Sequence, residues 1–440
     1  MTDQPRGASR ASLSFIFITI LIETIGIGII IPVLPKLVKE FLDGDTEVAS
    51  EYFGGLIALY ALMQFLFAPM LGALSDRFGR RPVLLVSLVG QGIDYFIMFM
   101  APSLLWLAIG RGLAGISGAS ITTAQAYIAD VTRPEKRAQS FGLIGVAFGV
   151  GFILGPALGG VLGDLFGLRT PFLAAGAFSL LNALYGLFVL PESLPKHKRT
   201  QPNLREANPL AVFPVLKRLP NLVPIVVVYS LIMLAGQVMP ATWVLYTEYQ
   251  FGWDESTTGW SLAVVGLAVG LVQGLLVKPV NARLGERATA VVGISSNAII
   301  LMLIGFATQS WMLFALIAPY ALGGLAGPAT QSLASRSVSD REQGKLQGIL
   351  TGLMGLVQIA GPLLFTFAFA MGVNDAFTWT VPGLAFFGAS GISLVAALYA
   401  LNRLPGSPAP PAHSHPAHSP EVSDSASYPA HPPAQIETIP

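Results

Sequence analysis

The chain has 440 residues, of which 53% are hydrophobic and only 11% charged, where a soluble domain carries about 25% charged residues. A formal net charge of +1 leaves no basic field for nucleic acid, and the lack of cysteine excludes disulfides, thiolate metal sites and thiol catalysis. What remains is a membrane protein whose 47 glycines let helices approach closely in lipid.

A bilayer core about 30 Å thick is crossed by roughly 20 apolar residues in helical form. Twelve segments meet that length: 13–35, 52–73, 82–101, 104–129, 139–163 and 170–190, then 221–245, 259–277, 288–307, 311–335, 346–371 and 378–402. None alternates over ten residues as a barrel strand does, so the expected fold is all-α and integral to the membrane. Arg6 and Arg10 precede the first segment as in a signal peptide. That segment continues to Leu34 with Glu23 at its middle, so it reads as a span and not as a cleaved leader. Among the basic residues, Lys36, Lys39 and Arg169 fall on one side, Arg111 lies inside a span, and the rest fall on the other side. That richer side is expected to be cytoplasmic and to hold both termini. The domains follow: a terminus 1–12, a six-helix bundle 13–190, a polar Pro-rich linker 191–220, a second six-helix bundle 221–403 and a disordered tail 404–440. The tail's histidines (His413, His415, His418, His431) read as a solvated run rather than a metal site.

Between the second and third segments lies Gly72-Ala-Leu-Ser-Asp76-Arg77-Phe-Gly79-Arg80-Arg81-Pro82, and a worn copy returns 206 positions later, with Arg77 and Gly79 matched by Arg283 and Gly285. The same offset takes Gly149 to Gly355 and Gly155-Pro156 to Gly361-Pro362, so the two halves are a duplication. Duplicated membrane halves mark secondary transporters, whose site lies between them. Gly72 and Gly79 are expected to form a tight turn, with Asp76 latching onto neighbouring arginines such as Arg80 and Arg81. Asp130, at the inner end of the fourth span, is expected to partner Arg133 or Arg137. In the fifth span, Gly149, Gly155 and Pro156 belong to a stripe that permits a close helix crossing and serves either as a packing groove or as a hinge and seal.

Charges inside a membrane are costly and mark function. Glu23, Asp94 and Arg111 lie well inside spans, and counting about 1.5 Å per residue puts all three roughly 15–20 Å from the inner face. Gln64 falls at a similar depth. One acid is free to cycle protons while the other holds Arg111, or the group is a static ion pair. The second half offers amides instead, Gln237, Gln273, Asn297 and Gln358, as substrate contacts or packing hydrogen bonders. No Gly-Lys-Ser/Thr phosphate loop occurs, which speaks against ATP as energy source.

Three stretches resemble the Major Facilitator Superfamily: the 72–82 string, Leu107-Ala-Ile-Gly-Arg111-Gly-Leu-Ala-Gly115, and the glycine run ending in Gly155-Pro156, which is similar to the antiporter motif. The strings Ile31-Pro-Val-Leu-Pro35, Tyr60-Ala-Leu-Met-Gln64 and Glu342-Gln-Gly-Lys-Leu-Gln-Gly348 resemble the bacterial tetracycline/proton antiporters. The resemblance implies proton-driven export of an amphipathic small molecule from the cytoplasmic membrane, by a monomer that alternates access between bundles. It implies no cofactor beyond protons as coupling ion, with magnesium entering as part of a chelated substrate. It assigns Glu23 and Asp94 to transport and Asp76 and Arg80 to the loop. Two departures stand out. Asn297 occupies the position of an acid, and Val269 that of a histidine found in some members, so an anionic ligand for a cationic chelate is missing. Nutrient uptake by symport and ligand sensing without turnover are the alternatives. The antiporter-like motif argues against the first, and the want of a folded soluble output domain against the second. No enzymatic constellation stands out.

Overall fold

The apolar segments fold into α-helices, and no strand occurs among the described residues. The computed structural model describes residues 8–118, 120–132, 137–199, 222–339, 342–374, 376 and 380–405, apart from the side chains of 8–13, 120, 137–139, 141–143 and 198. The first half comprises α1 (Ala8–Ile30), α2 (Leu34–Glu40), α3 (Thr46–Phe78), α4 (Arg80–Met100), α5 (Leu104–Ser117), α6 (Ser120–Val131), α7 (Arg137–Phe166) and α8 (Thr170–Val189). The second comprises α9 (Val223–Gly236), α10 (Val238–Phe251), α11 (Glu255–Leu271), α12 (Val277–Gly305), α13 (Ser310–Ala321), α14 (Ala326–Arg336), α15 (Gln343–Val373) and α16 (Leu384–Arg403). A π-helical turn, Val272–Leu276, joins α11 to α12, and a 3₁₀ turn, Leu322–Leu325, joins α13 to α14.

Eleven helical runs among the described residues are long and apolar enough to cross a membrane. One of them, Glu255–Gly305, has 51 residues and would extend about 77 Å if straight. It breaks at Gly285, whose φ of 77° is outside the helical range, and so takes in two predicted segments, 259–277 and 288–307. The expected eleven-residue loop at 72–82 is instead a single-residue joint. α3 runs to Phe78, α4 starts at Arg80, and Gly79 alone turns the chain at φ 107°. Gly72 lies inside α3 and faces open space, so it takes no part in the turn. The last helix begins at Leu384 rather than 378, because Pro382 biases the residue before it away from helical geometry. The linker is described only to Arg199 and the tail only to Pro405; the rest of both, including the tail histidines, lies outside the described residues.

Packing repeats with the chain's internal offset. α4 packs on α8 as α12 packs on α16, and α3 on α5 as α11 on α13. The halves meet along two seams, α3 against α15 and α7 against α11. At the end of the molecule away from Gly79, one apolar core draws on both halves, joining Leu37, Val38 and Phe53 to Trp243, Tyr246, Phe369 and Phe386. At the Gly79 end each half keeps a core of its own, around Phe15, Leu84 and Tyr127 in one and Ile225, Leu333 and Leu346 in the other.

Candidate functional site

α4 and α5 place the first pair of charged groups. Asp94 lies on the buried face of α4 and Arg111 on that of α5, and Arg111 Nη2 donates to Asp94 Oδ2 at 3.2 Å. Gly110 makes room for that carboxylate, since a methyl added there would lie 2.7 Å from Asp94 Oδ1. Arg111 Nη2 also reaches Met98 Sδ at 3.1 Å, and its guanidinium stacks over the Tyr60 ring at 5.5 Å, a cation–π contact. Gln64, one turn beyond Tyr60, donates to the Tyr60 hydroxyl at 3.4 Å and to the Gly118 carbonyl at 3.2 Å. Glu23, on α1, accepts from Gln91 Nε2 at 2.9 Å. Glu23, Asp94, Arg111 and Gln64 therefore form one polar layer on four helices.

That layer borders a cavity of about 460 Å³ lined by both halves. Tyr60, Gln64, Gln91, Asp94 and Arg111 line it from one side, and Gln237 and Gln358 from the other. Glu23 is not in the lining and reaches it through Gln91. The other expected amides divide: Gln273 and Asn297 line a second cavity, of about 390 Å³, which shares Gln237 with the first.

At the Gly79 joint the polar groups interlock. Arg80 pairs with Asp76 at 2.6 Å and with Asp130 at 3.3 Å, and its Nη1 donates to Ser75 Oγ at 2.5 Å. Asp130 thus partners an arginine of another helix and also accepts from Ser193 Oγ at 3.0 Å. Asp130 reaches Arg80 because α4 and α6 pack side by side; its expected partners, Arg133 and the Arg137 side chain, lie outside the described residues. Arg81 donates to the Leu187 carbonyl at the end of α8, while Arg77 turns outward over Phe78. The offset of 206 holds in space as well. Gly285 breaks the helix as Gly79 does, and Arg287 donates to the Leu401 carbonyl at the end of α16. The ion pair, however, is reversed in sign: Arg80–Asp130 becomes Glu286–Arg336 at 3.1 Å.

A sequence model of the Major Facilitator Superfamily matches residues 16–245 and again 225–433. The chain belongs to the Major Facilitator Superfamily. It is similar to the class C tetracycline resistance protein of Escherichia coli, 44% identical over 88% of this chain and 96% of that one. It is also similar to the class G tetracycline resistance protein of Vibrio anguillarum, 40% identical over 86% and 95% respectively. Among solved structures, the human organic anion transporter MFSD10 is similar, with a TM-score of 0.65, 25% identity and coverage of 90% of this chain and 100% of that one. The superfamily consists of transporters and not enzymes, so the chain is a multi-pass membrane transporter of small molecules.

In this superfamily member the glycine stripe of α7 does two different things. Gly155 lies so close to α1 that an added methyl would sit 2.7 Å from Gly28 Cα, with Pro156 Cδ against the same glycine. Gly160, on the other side of α7, abuts Gly259 of α11 across the seam between the halves. Gly149 meets nothing and belongs to neither contact. Several contributing residues escaped the sequence reading. Gln91 lies three residues before Asp94 on one face of α4, and Tyr60 four before Gln64 on α3, so helical spacing was an available signal. Glu192 had no such signal: its carboxylate caps the joint by accepting from the Arg80 backbone N–H at 2.9 Å across 112 positions. Lys36 and Lys39 were read only as topology markers. They form ion pairs with Glu255 at 3.0 Å and Glu248 at 2.9 Å, joining the halves at the end opposite Gly79. Both of these ion pairs between the halves lie at that end.

Proposed function

We propose that the chain is a proton-coupled exporter of an amphipathic, tetracycline-like compound, working as a monomer by alternating access in a bacterial cytoplasmic membrane. It crosses the membrane twelve times in two six-helix bundles, with the long run Glu255–Gly305 crossing twice about Gly285. Both termini and the Gly79 joint lie on the cytoplasmic side, where the basic connections gather. The substrate class comes from the tetracycline resistance proteins to which the chain is similar.

The observation that carries the reading is the Asp94–Arg111 pair, 3.2 Å apart on the wall of a cavity shared by both halves. A proton arriving on Asp94 removes the charge that holds Arg111. Arg111, left without its counter-charge, is then unstable in place and must find another acceptor, and that change of partner biases the bundles toward the other face. Glu23 acts through Gln91, which it orients at the cavity wall. Asp76, Arg80 and Asp130 form the inner latch, and the Lys36–Glu255 and Lys39–Glu248 pairs the outer one. The joined core at the outer end and separate cores at the inner end favour an inward-facing state for this conformation.

The test is tetracycline accumulation in everted vesicles under an imposed proton gradient. Asp94→Asn is expected to lose gradient-driven accumulation while still equilibrating substrate down its own gradient. Coupled accumulation at the wild-type level in Asp94→Asn would refute the assignment.

A further inference from the structure

Arg111 is held from two sides. On one, a single N–H from Nη2 reaches Asp94 Oδ2 at 3.2 Å, longer than the ~2.7–2.9 Å of a strong charge-assisted bond. The planar fork that would close a bidentate pair stays open, because Arg111 Nε and Asp94 Oδ1 are both buried without a hydrogen-bond partner. On the other side, the guanidinium carbon stands 5.5 Å from the centre of the Tyr60 ring, within reach of its negative face. The arginine is therefore shared between a carboxylate on α4 and a ring on α3.

The sequence of α5 makes room for both holders. Gly110 accommodates the Asp94 carboxylate, and Gly115 the α3 backbone at the Tyr60 carbonyl. Gly118, just past the end of α5, accommodates the Tyr60 hydroxyl, which a methyl there would meet at 2.8 Å. Gln64 bridges that hydroxyl and the Gly118 carbonyl. The two holders answer to different parts of the molecule. α4 packs on α5, α6 and α8 of its own half, whereas α3 forms the seam with α15 of the other half. The titratable groups around the pair are Glu23 on α1, Tyr60 on α3 and Tyr95 on α4. The described cavity lining from α6, α7 and the second half carries none.

We propose that Tyr60 is the second seat of Arg111: when Asp94 takes up a proton, the guanidinium settles on the Tyr60 ring. This rests on the coupling role given to Asp94 above and names the residue that receives the arginine. Arg111 keeps its charge, and the one bond formed is the O–H on Asp94. The pull of a ring on a cation is strongest where neither water nor a carboxylate competes, so it grows as Asp94 becomes neutral. The step turns a protonation on α4 into a load on α3, the helix at the seam. Tyr60 is a positioning residue, acting through Arg111 and exchanging no proton itself.

The experiment follows the carboxyl stretch of Asp94 across pH by infrared difference spectroscopy on the purified full chain, the band being assigned by its loss in Asp94→Asn. A ring that steadies Arg111 favours the protonated acid, so removing the ring moves the midpoint of the band toward acid. Tyr60→Leu should shift it by about one pH unit, the worth of a partly desolvated cation–π contact. Tyr60→Phe keeps the ring face and should keep the wild-type midpoint. Pentafluorophenylalanine in place of Tyr60 preserves the ring's size but not its negative face, and should shift the midpoint as Tyr60→Leu does. A purely structural role would leave that last midpoint unmoved, and this replacement carries the test if Tyr60→Leu does not fold. An unmoved midpoint in the fluorinated protein, equal shifts in Tyr60→Phe and Tyr60→Leu, or no titrating band that Asp94→Asn removes would each overturn the inference. Tetracycline accumulation is measured in everted vesicles alongside. The expected shifts without proton-driven accumulation in the wild type would uphold the second seat and refute the efflux reading. Accumulation with unmoved midpoints would do the reverse.

Discussion

If the transporter alternates access as proposed, the Lys36–Glu255 and Lys39–Glu248 pairs set the balance between its two faces. Lys36 and Glu255 expose 11% and 17% of their side chains, and Lys39 and Glu248 expose 25% and 21%. They fall between exposed pairs, worth ~0.2–1 kcal/mol, and buried ones, where removing one partner costs ~3–5 kcal/mol. An intermediate value of ~1.5 kcal/mol per pair shifts an equilibrium about tenfold. Lys36 also donates to the Trp253 carbonyl at 3.1 Å, so Lys36→Gln should have the larger effect of the two. The double variant Lys36→Gln/Lys39→Gln should favour the outward-open form between about tenfold and a hundredfold. The assay exploits the absence of cysteine from the chain. Leu34, only 3% exposed and lining the central cavity just beneath the latch, becomes the single thiol in Leu34→Cys. A membrane-impermeant maleimide added outside intact cells should label it faster in the latch variants by the factors above. Unchanged labelling in the folded double variant would refute the reasoning, as would faster labelling that restoring the pair by Lys36→Glu/Glu255→Lys does not reverse.

Three further outcomes follow from the geometry. Gly155→Ala forces α1 and α7 apart and should destabilise the protein by ~1–3 kcal/mol in thermal unfolding, whereas Gly149→Ala, which meets nothing, should leave the melting temperature unchanged. Glu286→Arg opposes two cations where an ion pair stood at 3.1 Å and should lower stability; adding Arg336→Asp reproduces the Arg80–Asp130 arrangement and should recover at least half of the loss. Asp254 caps α11 by accepting from the Thr257 N–H, and that bond, with the one from the Thr257 side chain, holds its carboxyl below the ordinary value of 3.8. Asp254→Ala should cost ~1 kcal/mol of stability. Because the folded value is depressed, the difference from wild type should be fully present above pH 3.8 and vanish as pH falls through the lowered value, which stability measured against pH would reveal.

Most helices were legible because an apolar run of membrane length leaves the backbone few alternatives. The depth count placed Asp94 and Arg111 in one layer, since rise per residue is nearly constant along a helix. Partner choice was less legible, because it depends on which helices pack side by side. Asp130 meets Arg80 across 50 positions, a contact that nearness in sequence does not suggest. Lys36 meets Glu255 across the two halves, a contact that no single-helix period encodes. The reversed ion pair was available from the offset that links Gly79 to Gly285, since the same step carries Arg80 to Glu286 and Asp130 to Arg336. The π-turn at Gln273 was not, because one extra residue in a helical turn leaves no mark in a uniformly apolar run.

The one-residue joint at Gly79 has a mechanical meaning. A loop of several residues would absorb a rotation of α3 as slack. A single glycine, clamped by Glu192 on one flank and by the Arg80 contacts on the other, acts as a gear tooth. Asp94 stands fourteen residues up α4, about 21 Å from the joint. α4 runs unbroken between the two, so on the proposed coupling a displacement at the joint and a proton exchanged at Asp94 would be passed to one another along one stiff rod.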